Sequence, residues 1–256
     1  MEMDWGISLL GLLVGFLVGL TGVGGAALLT PILVLVGINP TLAVGTDLFY
    51  NSVTKLFGTI QHFRQKTVEI RLVFFLAAGS IPGAVVSIVA LHQFSSFYHN
   101  QEQIVRFALG IMLIVVAVLT IAKQLFERKG SENRWQAKPL EQKKAMTIGI
   151  GFVLGFIVGL TSIGSGSLFA IALMYLYRIQ ASRLVGTDIA HALLLVTAAG
   201  LLHASYGNVD FGLAFQLLIG SVPGVWIGSS LSAKLPSKPL RAIMASLILI
   251  SGLKLL

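Results

Sequence analysis

The stretch GFLVGLTGVGGAALLT occupies positions 15–30, and GFIVGLTSIGSGSLFA occupies positions 155–170. Eight of the sixteen positions are identical between them. Each copy begins as an unbroken apolar run and then gives way to glycines and hydroxyl side chains. Glycine in a helix interior costs about 1 kcal/mol relative to alanine. Irregular backbone inside a bilayer is tolerated only where protein buries it or it lines a polar cavity. A break written twice, at the same place in two related helices, therefore marks a position the fold uses.

Composition sets the surroundings of that break. Of the 256 residues 55% are hydrophobic and only 11% charged, where a soluble domain carries about 25%. Too little polar surface is available to coat a water-facing globule, so the chain is expected to be an all-α polytopic membrane protein. Apolar segments run over 6–20, 26–37, 41–61, 72–91 and 104–123, and again over 146–160, 166–177, 184–204, 212–232 and 239–255. The first two of each set are too short to cross about 30 Å of hydrocarbon at about 1.5 Å per residue. The net charge of +8 lies in short gaps between these segments rather than in one patch, which argues against nucleic acid as a partner. With no cysteine in the chain, disulfides, thiolate metal sites and cysteine nucleophiles are excluded. No His/carboxylate spacing reads as a metal site, and no cofactor is expected. The opening MEMDW has no basic region, so no removable signal peptide is expected.

The duplication extends through each half. VGTD at Val44–Asp47 returns at Val185–Asp188, His62 aligns with His203, and GSIPG at Gly79–Gly83 returns as GSVPG at Gly220–Gly224. The chain divides into a first transmembrane repeat (1–125), a hydrophilic linker (126–144) expected to be a solvated connector, and a second repeat (145–256). If each short pair of segments forms a hairpin, each half makes three crossings and the repeats are inverted. That layout places 15 of the 18 basic residues on one side, with Arg106 and Lys254 opposite and Lys55 inside a helix. By the positive-inside rule the linker is then cytoplasmic and both termini outside. Pro82 and Pro223 are expected to kink or start helices.

Helix starts after such breaks present unpaired N–H groups and a partial positive charge. At Gly22, Gly24, Gly25, Gly164 and Gly166 an oxyanion can approach them closely, with Thr21, Thr161, Ser162, Ser165 and Ser167 as hydroxyl donors. Two breaks joined by pseudo-twofold symmetry would make an anion cradle near the midplane. Gly11, Gly15, Gly19 and their counterparts Gly151, Gly155, Gly159 follow small-xxx-small packing spacing, where alanine at Gly15 is expected to be much milder for transport than valine at Gly24 or Gly164. Asp47 and Asp188 lie inside apolar segments. They serve either proton coupling or the capping of broken-helix N–H groups. Lys55, two turns after Asp47 with Asn51 between, either neutralises an anion or snorkels; its counterpart is Val196. His191 is expected to be a packing histidine rather than a proton relay.

The doubled G-L-T-x-[VI]-G block and the VGTD in each half resemble the sulfite exporter TauE/SafE family of bacterial membrane permeases. The resemblance covers almost the whole chain. It implies a multi-pass protein of the bacterial cytoplasmic membrane that moves small sulfur-containing anions, sulfite or organosulfonates, usually outward. The family's glycine motif maps onto Gly22, Gly24 and Gly25, and less closely onto Gly164 and Gly166. The second copy carries Ser162 and Ser165 where glycines are expected, so the half-sites differ. A passive anion channel is the alternative. An intramembrane serine hydrolase at Ser165 is disfavoured, because Ile163 stands where such a motif needs glycine.

Overall fold

The computed structural model describes residues 5–21, 26–98, 101–125, 136, 139–232 and 237–256. Among them the chain forms ten α-helices and a 3₁₀ turn, with no strand. They are α1 (Trp5–Thr21), α2 (Ala26–Leu35), α3 (Pro40–Arg64), α4 (Ile70–Tyr98), α5 (Gln101–Leu125), α6 (Lys144–Thr161), α7 (Ser167–Leu176), α8 (Ala181–Ser205), α9 (Phe211–Ser232) and α10 (Ser237–Leu255). Every apolar segment expected from the sequence is a helix, with ends shifted by a few residues. Asn39 starts α3 by accepting from the N–H groups of Thr41 (2.9 Å) and Leu42 (3.3 Å), with Pro40 at the first helical position. Lys66, at φ 55, turns the chain out of α3.

Five described helices are long and apolar enough to cross a bilayer: α4, α5, α6 with its preceding 3₁₀ turn, α8 and α9. The 25 residues of α3 would also reach across, but Asp47, Asn51 and Lys55 interrupt its apolar character. The outward surface is apolar. Trp226 is 75% exposed, and Phe57, Phe74, Phe107 and Phe215 also face outward. Such a surface suits lipid rather than water. Leu48, Leu113, Phe169, Leu195 and Leu217 are among the fully buried side chains at the centre.

The halves interlock rather than sit side by side. Gly11, Gly15 and Gly19 of α1 lie directly on the backbone of Leu217, Ser221 and Val225 of α9. Gly151, Gly155 and Gly159 of α6 meet Leu76, Ser80 and Ala84 of α4, the counterparts of those three residues. In return Gly79 and Gly83 abut Ile148 and Phe152, while Gly220 and Gly224 abut Ser8 and Leu12. Along both seams the numbers rise together, so the paired helices are parallel. A Cβ at Gly15 would stand 2.7 Å from the Ser221 Cα, and one at Gly155 2.5 Å from the Ser80 Cα. The packing role expected of these glycines is thus explicit, and at Gly15 it leaves no room for an alanine methyl without a backbone shift. The main chains already touch there.

At the centre α3 and α8 run antiparallel, with Gly45 against His203, Phe49 against Gly200, and Gly58 against Ile189. Pro82 and Pro223 lie inside α4 and α9 with exposed rings, and neither starts a helix. Much of the linker falls outside the described residues. Its end is not the solvated connector expected, because Lys143 is buried. Its Nζ donates to the Leu176 carbonyl (3.0 Å) and lies 4.3 Å from the centre of the Tyr177 ring. A cation at the carbonyl end of α7 satisfies an orphan acceptor and favours the helix dipole. The same contact brings the start of α6 and the end of α7 together, closing that pair as a hairpin.

Candidate functional site

The second glycine break, between α6 and α7, is described in full. Thr161 Oγ1 donates to the Ile157 carbonyl (2.8 Å) and accepts from the Ile163 N–H (3.2 Å). Ser162 ends α6 in the left-handed region (φ 60), and Gly164 follows at φ +98, a conformation that L side chains rarely adopt. Ser165 is buried. Gly166 is the N-cap of α7, with no side chain bonded to that helix start. The first N–H groups of α7 therefore have no side-chain cap. Ser167 is half-buried in the first turn. In the first half Gly22, Gly24 and Gly25 lie outside the described residues, as does the Thr21 side chain.

Ser162 is tied to the VGTD of the other half. Its Oγ donates to Asp47 Oδ2 (2.7 Å), as does Thr30 Oγ1 of α2 (2.6 Å). Asn51 Nδ2 donates to Asp47 Oδ1 (2.7 Å). Asp47 is fully buried and receives side-chain donors; no backbone N–H of the break is among its partners. Asp188 is different. It is 6% exposed, and its Oδ1 is buried without a hydrogen-bond partner. The counterparts of Thr30 and Asn51 in the second half are Ala170 and Ala192, which donate nothing.

Lys55 stands between the two acids. In the α3–α8 register Val53 lies level with Leu195 and Thr54 with Leu194, each facing the other's counterpart, so Lys55 is next to the centre of the exchange. Asp47 lies eight residues before it, about 12 Å of helix rise. Asp188 lies on the opposite side. Lys55 is half-buried as a residue with its ammonium turned inward, and that charge interacts electrostatically with Asp47, with Asp188 and with His191. Thus each acid lies within the field of Lys55, whereas the two acids do not form a pair.

The rest of the VGTD motif is architectural. Thr46 Oγ1 accepts the Asp210 N–H (3.0 Å) at the start of α9, and Thr187 Oγ1 accepts the Glu69 N–H (3.0 Å) at the start of α4. Each threonine thereby fastens the start of a helix in the opposite half. A Cβ on Gly186 would lie 2.6 Å from the Thr67 carbonyl oxygen, and one on Gly45 2.9 Å from the Asn208 carbonyl carbon. His191 is a packing residue, its Nε2 hydrogen-bonded to Ser80 (2.8 Å) and its ring on Phe169. Tyr50 occupies the equivalent place in α3 and lies beside Ser221, the counterpart of Ser80. The Nε2 of His203 donates to the Gly159 carbonyl (3.0 Å).

A family model described as Sulfite exporter TauE/SafE matches residues 7–255. The chain belongs to that family. It is a multi-pass transmembrane permease and not an enzyme. The permease is 61% identical over 254 residues to the probable membrane transporter protein YjnA of Bacillus subtilis (strain 168), covering 99% of this chain and 100% of that one. It is 27% identical over 272 residues to YunE of the same strain, also a probable membrane transporter protein, covering 98% and 96%. The probable membrane transporter protein MJ0441 of Methanocaldococcus jannaschii is 26% identical over 270 residues, covering 98% and 94%. No solved structure matches the chain.

Thr30, Tyr50 and Ser80 were not singled out in the sequence. Thr30 could have been noticed as a hydroxyl within an otherwise apolar helix whose counterpart is alanine. Tyr50 and Ser80 carry no such signal, because their roles depend on which helices meet.

Proposed function

We propose that the permease is a secondary transporter of small sulfur-containing anions, sulfite or organosulfonates, working as a proton-coupled exporter in the bacterial cytoplasmic membrane. The observation that carries this is the α6–α7 break: an uncapped helix start with buried Ser162 and Ser165, held by Asp47 on the helix that also carries the interior cation Lys55. A helix N-terminus with hydroxyls and a nearby ammonium suits an oxyanion. The name of the matched family supports sulfur as its central atom.

The two repeats are inverted in the membrane. The antiparallel run of α3 and α8, equivalent helices in register about one central point, supports this, as does the closure of α6 and α7 as a hairpin. The linker is cytoplasmic and both termini are outside, in keeping with the distribution of basic residues. Substrate binds at the glycine breaks: Thr21, Gly22, Gly24 and Gly25 in one half, Thr161, Ser162, Gly164, Ser165 and Gly166 in the other, with Lys55 between them.

Reconstitution into liposomes tests the proposal with sulfite, sulfate, thiosulfate and organosulfonates, each with and without a pH gradient. Flux of a sulfur anion that the gradient accelerates is expected. No flux of any of them would overturn the function, and flux indifferent to the gradient would make the protein a passive pore.

A further inference from the structure

The two acids have equivalent places in the duplicated sequence, yet the structure gives them unequal surroundings. Asp47 has Thr30, Ser162 and Asn51 as donors on its two oxygens. Such a carboxylate is held in place by α2, α3 and the α6–α7 break together, and moving it would orphan three buried donors. Among the described residues Asp188 has no such set. Its Oδ1 is buried and unpartnered, and one turn on, His191 Nδ1 is also buried and unpartnered. Both face the field of Lys55, which has no hydrogen bond or ion pair among the described residues and is matched in the second half by apolar Val196. Unsatisfied polar atoms this deep mark a place where something else binds.

Resting on the anion-transport function proposed above, we propose that Lys55 and Asp188 form a proton-gated anion seat, while Asp47 is a fixed pin that takes no part in coupling. With Asp188 ionised, the Lys55 charge is already countered and a second anion is repelled in the low-dielectric interior. A proton on Asp188 removes that competitor and turns the carboxyl into a hydrogen-bond donor aimed into the same space. The substrate anion then takes the ammonium. One proton and one anion enter the seat together and leave it together, so the outward gradient of the anion drives export and carries the proton with it, and no bond to sulfur is made or broken.

Other charged groups near Asp188 are engaged elsewhere. From α3 it is faced by Lys55, by His62, which packs on Gly186 and is bonded to Thr67, and, further off, by Asp47. Just before α4, Glu69 pairs with Arg183, and on α4 itself Arg71 is exposed and His92 stacks on the Tyr206 ring. The other α8 histidine, His203, is bonded to the Gly159 carbonyl. Of the remaining packed elements, α6 contributes Lys144, over the Phe75 ring, and α7 the exposed Tyr175.

The test uses the purified full chain in detergent, titrated with sulfite in weakly buffered solution while pH and binding are followed together. Comparing variants under the same sulfite removes the protons that sulfite itself exchanges. Wild type and Asp47→Asn are expected to take up about one proton more per bound anion than Asp188→Asn. Asp188→Asn, a mimic of the protonated acid, is expected to bind sulfite with an affinity that no longer follows pH, and Lys55→Met to lose binding that Lys55→Arg retains. Equal proton uptake in wild type and Asp188→Asn overturns the seat, as does loss of the extra proton in Asp47→Asn. Should Asp188→Asn fail to fold, wild-type sulfite affinity that is unchanged by pH beyond sulfite's own titration overturns it equally. If wild type binds no sulfite, sulfite transport itself fails, a result distinct from binding without a proton.

Discussion

Ser162 and Asp47 meet at 2.7 Å although 115 residues separate them. Through this bond the break of the second repeat is fastened to the central helix of the first. The sequence suggested that the aspartates of VGTD serve either proton coupling or capping of helix ends. For Asp47 the contact is with the break, but it is made by a hydroxyl and not by helix N–H groups.

Asp47→Ala therefore leaves the Thr30 and Ser162 hydroxyls and the Asn51 amide without their acceptor. A loss of about 3 kcal/mol is expected, visible as a lower melting temperature in detergent. Asp47→Asn, which keeps an acceptor oxygen, should lose much less. Equal losses in the two variants would mean that acceptance by Asp47 is not what holds the break.

The glycine seams give a second prediction. Gly15→Ala and Gly155→Ala each push a methyl into facing backbone, and each should destabilise by about 1–3 kcal/mol. Gly149 has nothing within 4 Å of where its Cβ would stand. Gly149→Ala should be neutral or stabilising, by up to about 1 kcal/mol. Thermal unfolding of the three variants side by side decides the matter.

Gly164 and Ser165 separate backbone from binding at the same break. Gly164→Ala is forced into a φ of +98 and should lose about 1–2 kcal/mol of stability whatever it does to transport. Ser165→Ala should keep its melting temperature while anion affinity falls by about tenfold, the worth of one hydrogen bond to a charged group. Unaltered affinity in a folded Ser165→Ala protein would remove that hydroxyl from the binding site.

Orientation is open to direct chemistry, since the chain has no cysteine of its own. Gly130→Cys and Gln65→Cys should react with impermeant maleimide only from the cytoplasm, and Ser205→Cys only from outside. Labelling of positions 65 and 205 from the same side would refute the inverted arrangement.

The helix order was legible because bilayer spans leave long apolar runs. The duplication was legible because glycine seams and VGTD recur at fixed spacing. Their use was less so. Gly15 and Gly155 announced close packing by their spacing, but not that main chain would touch main chain and exclude even a methyl group. Thr46 and Thr187 drew notice as neighbours of aspartates, whereas each turns to the start of a helix in the other half. The inequality of Asp47 and Asp188 was latent in Thr30 opposite Ala170 and Asn51 opposite Ala192. It has meaning only once the structure brings those donors to one carboxylate. Lys143 looked like one more charge in a polar linker, and nothing local foretold the carbonyl and aromatic ring that bury it.

The seams between α1 and α9 and between α4 and α6 also bear on how the protein is made. The ribosome releases α1 and α4 long before the helices that cover their glycine faces exist, so the early chain must wait in the lipid with those grooves unfilled. A shorter chain carrying one repeat could fill them only by borrowing from another copy, with its α3-like helix lying antiparallel to the first. Fusion of two copies makes that partner unavoidable, and from then on the two halves are free to diverge, as Lys55 and Val196 have done.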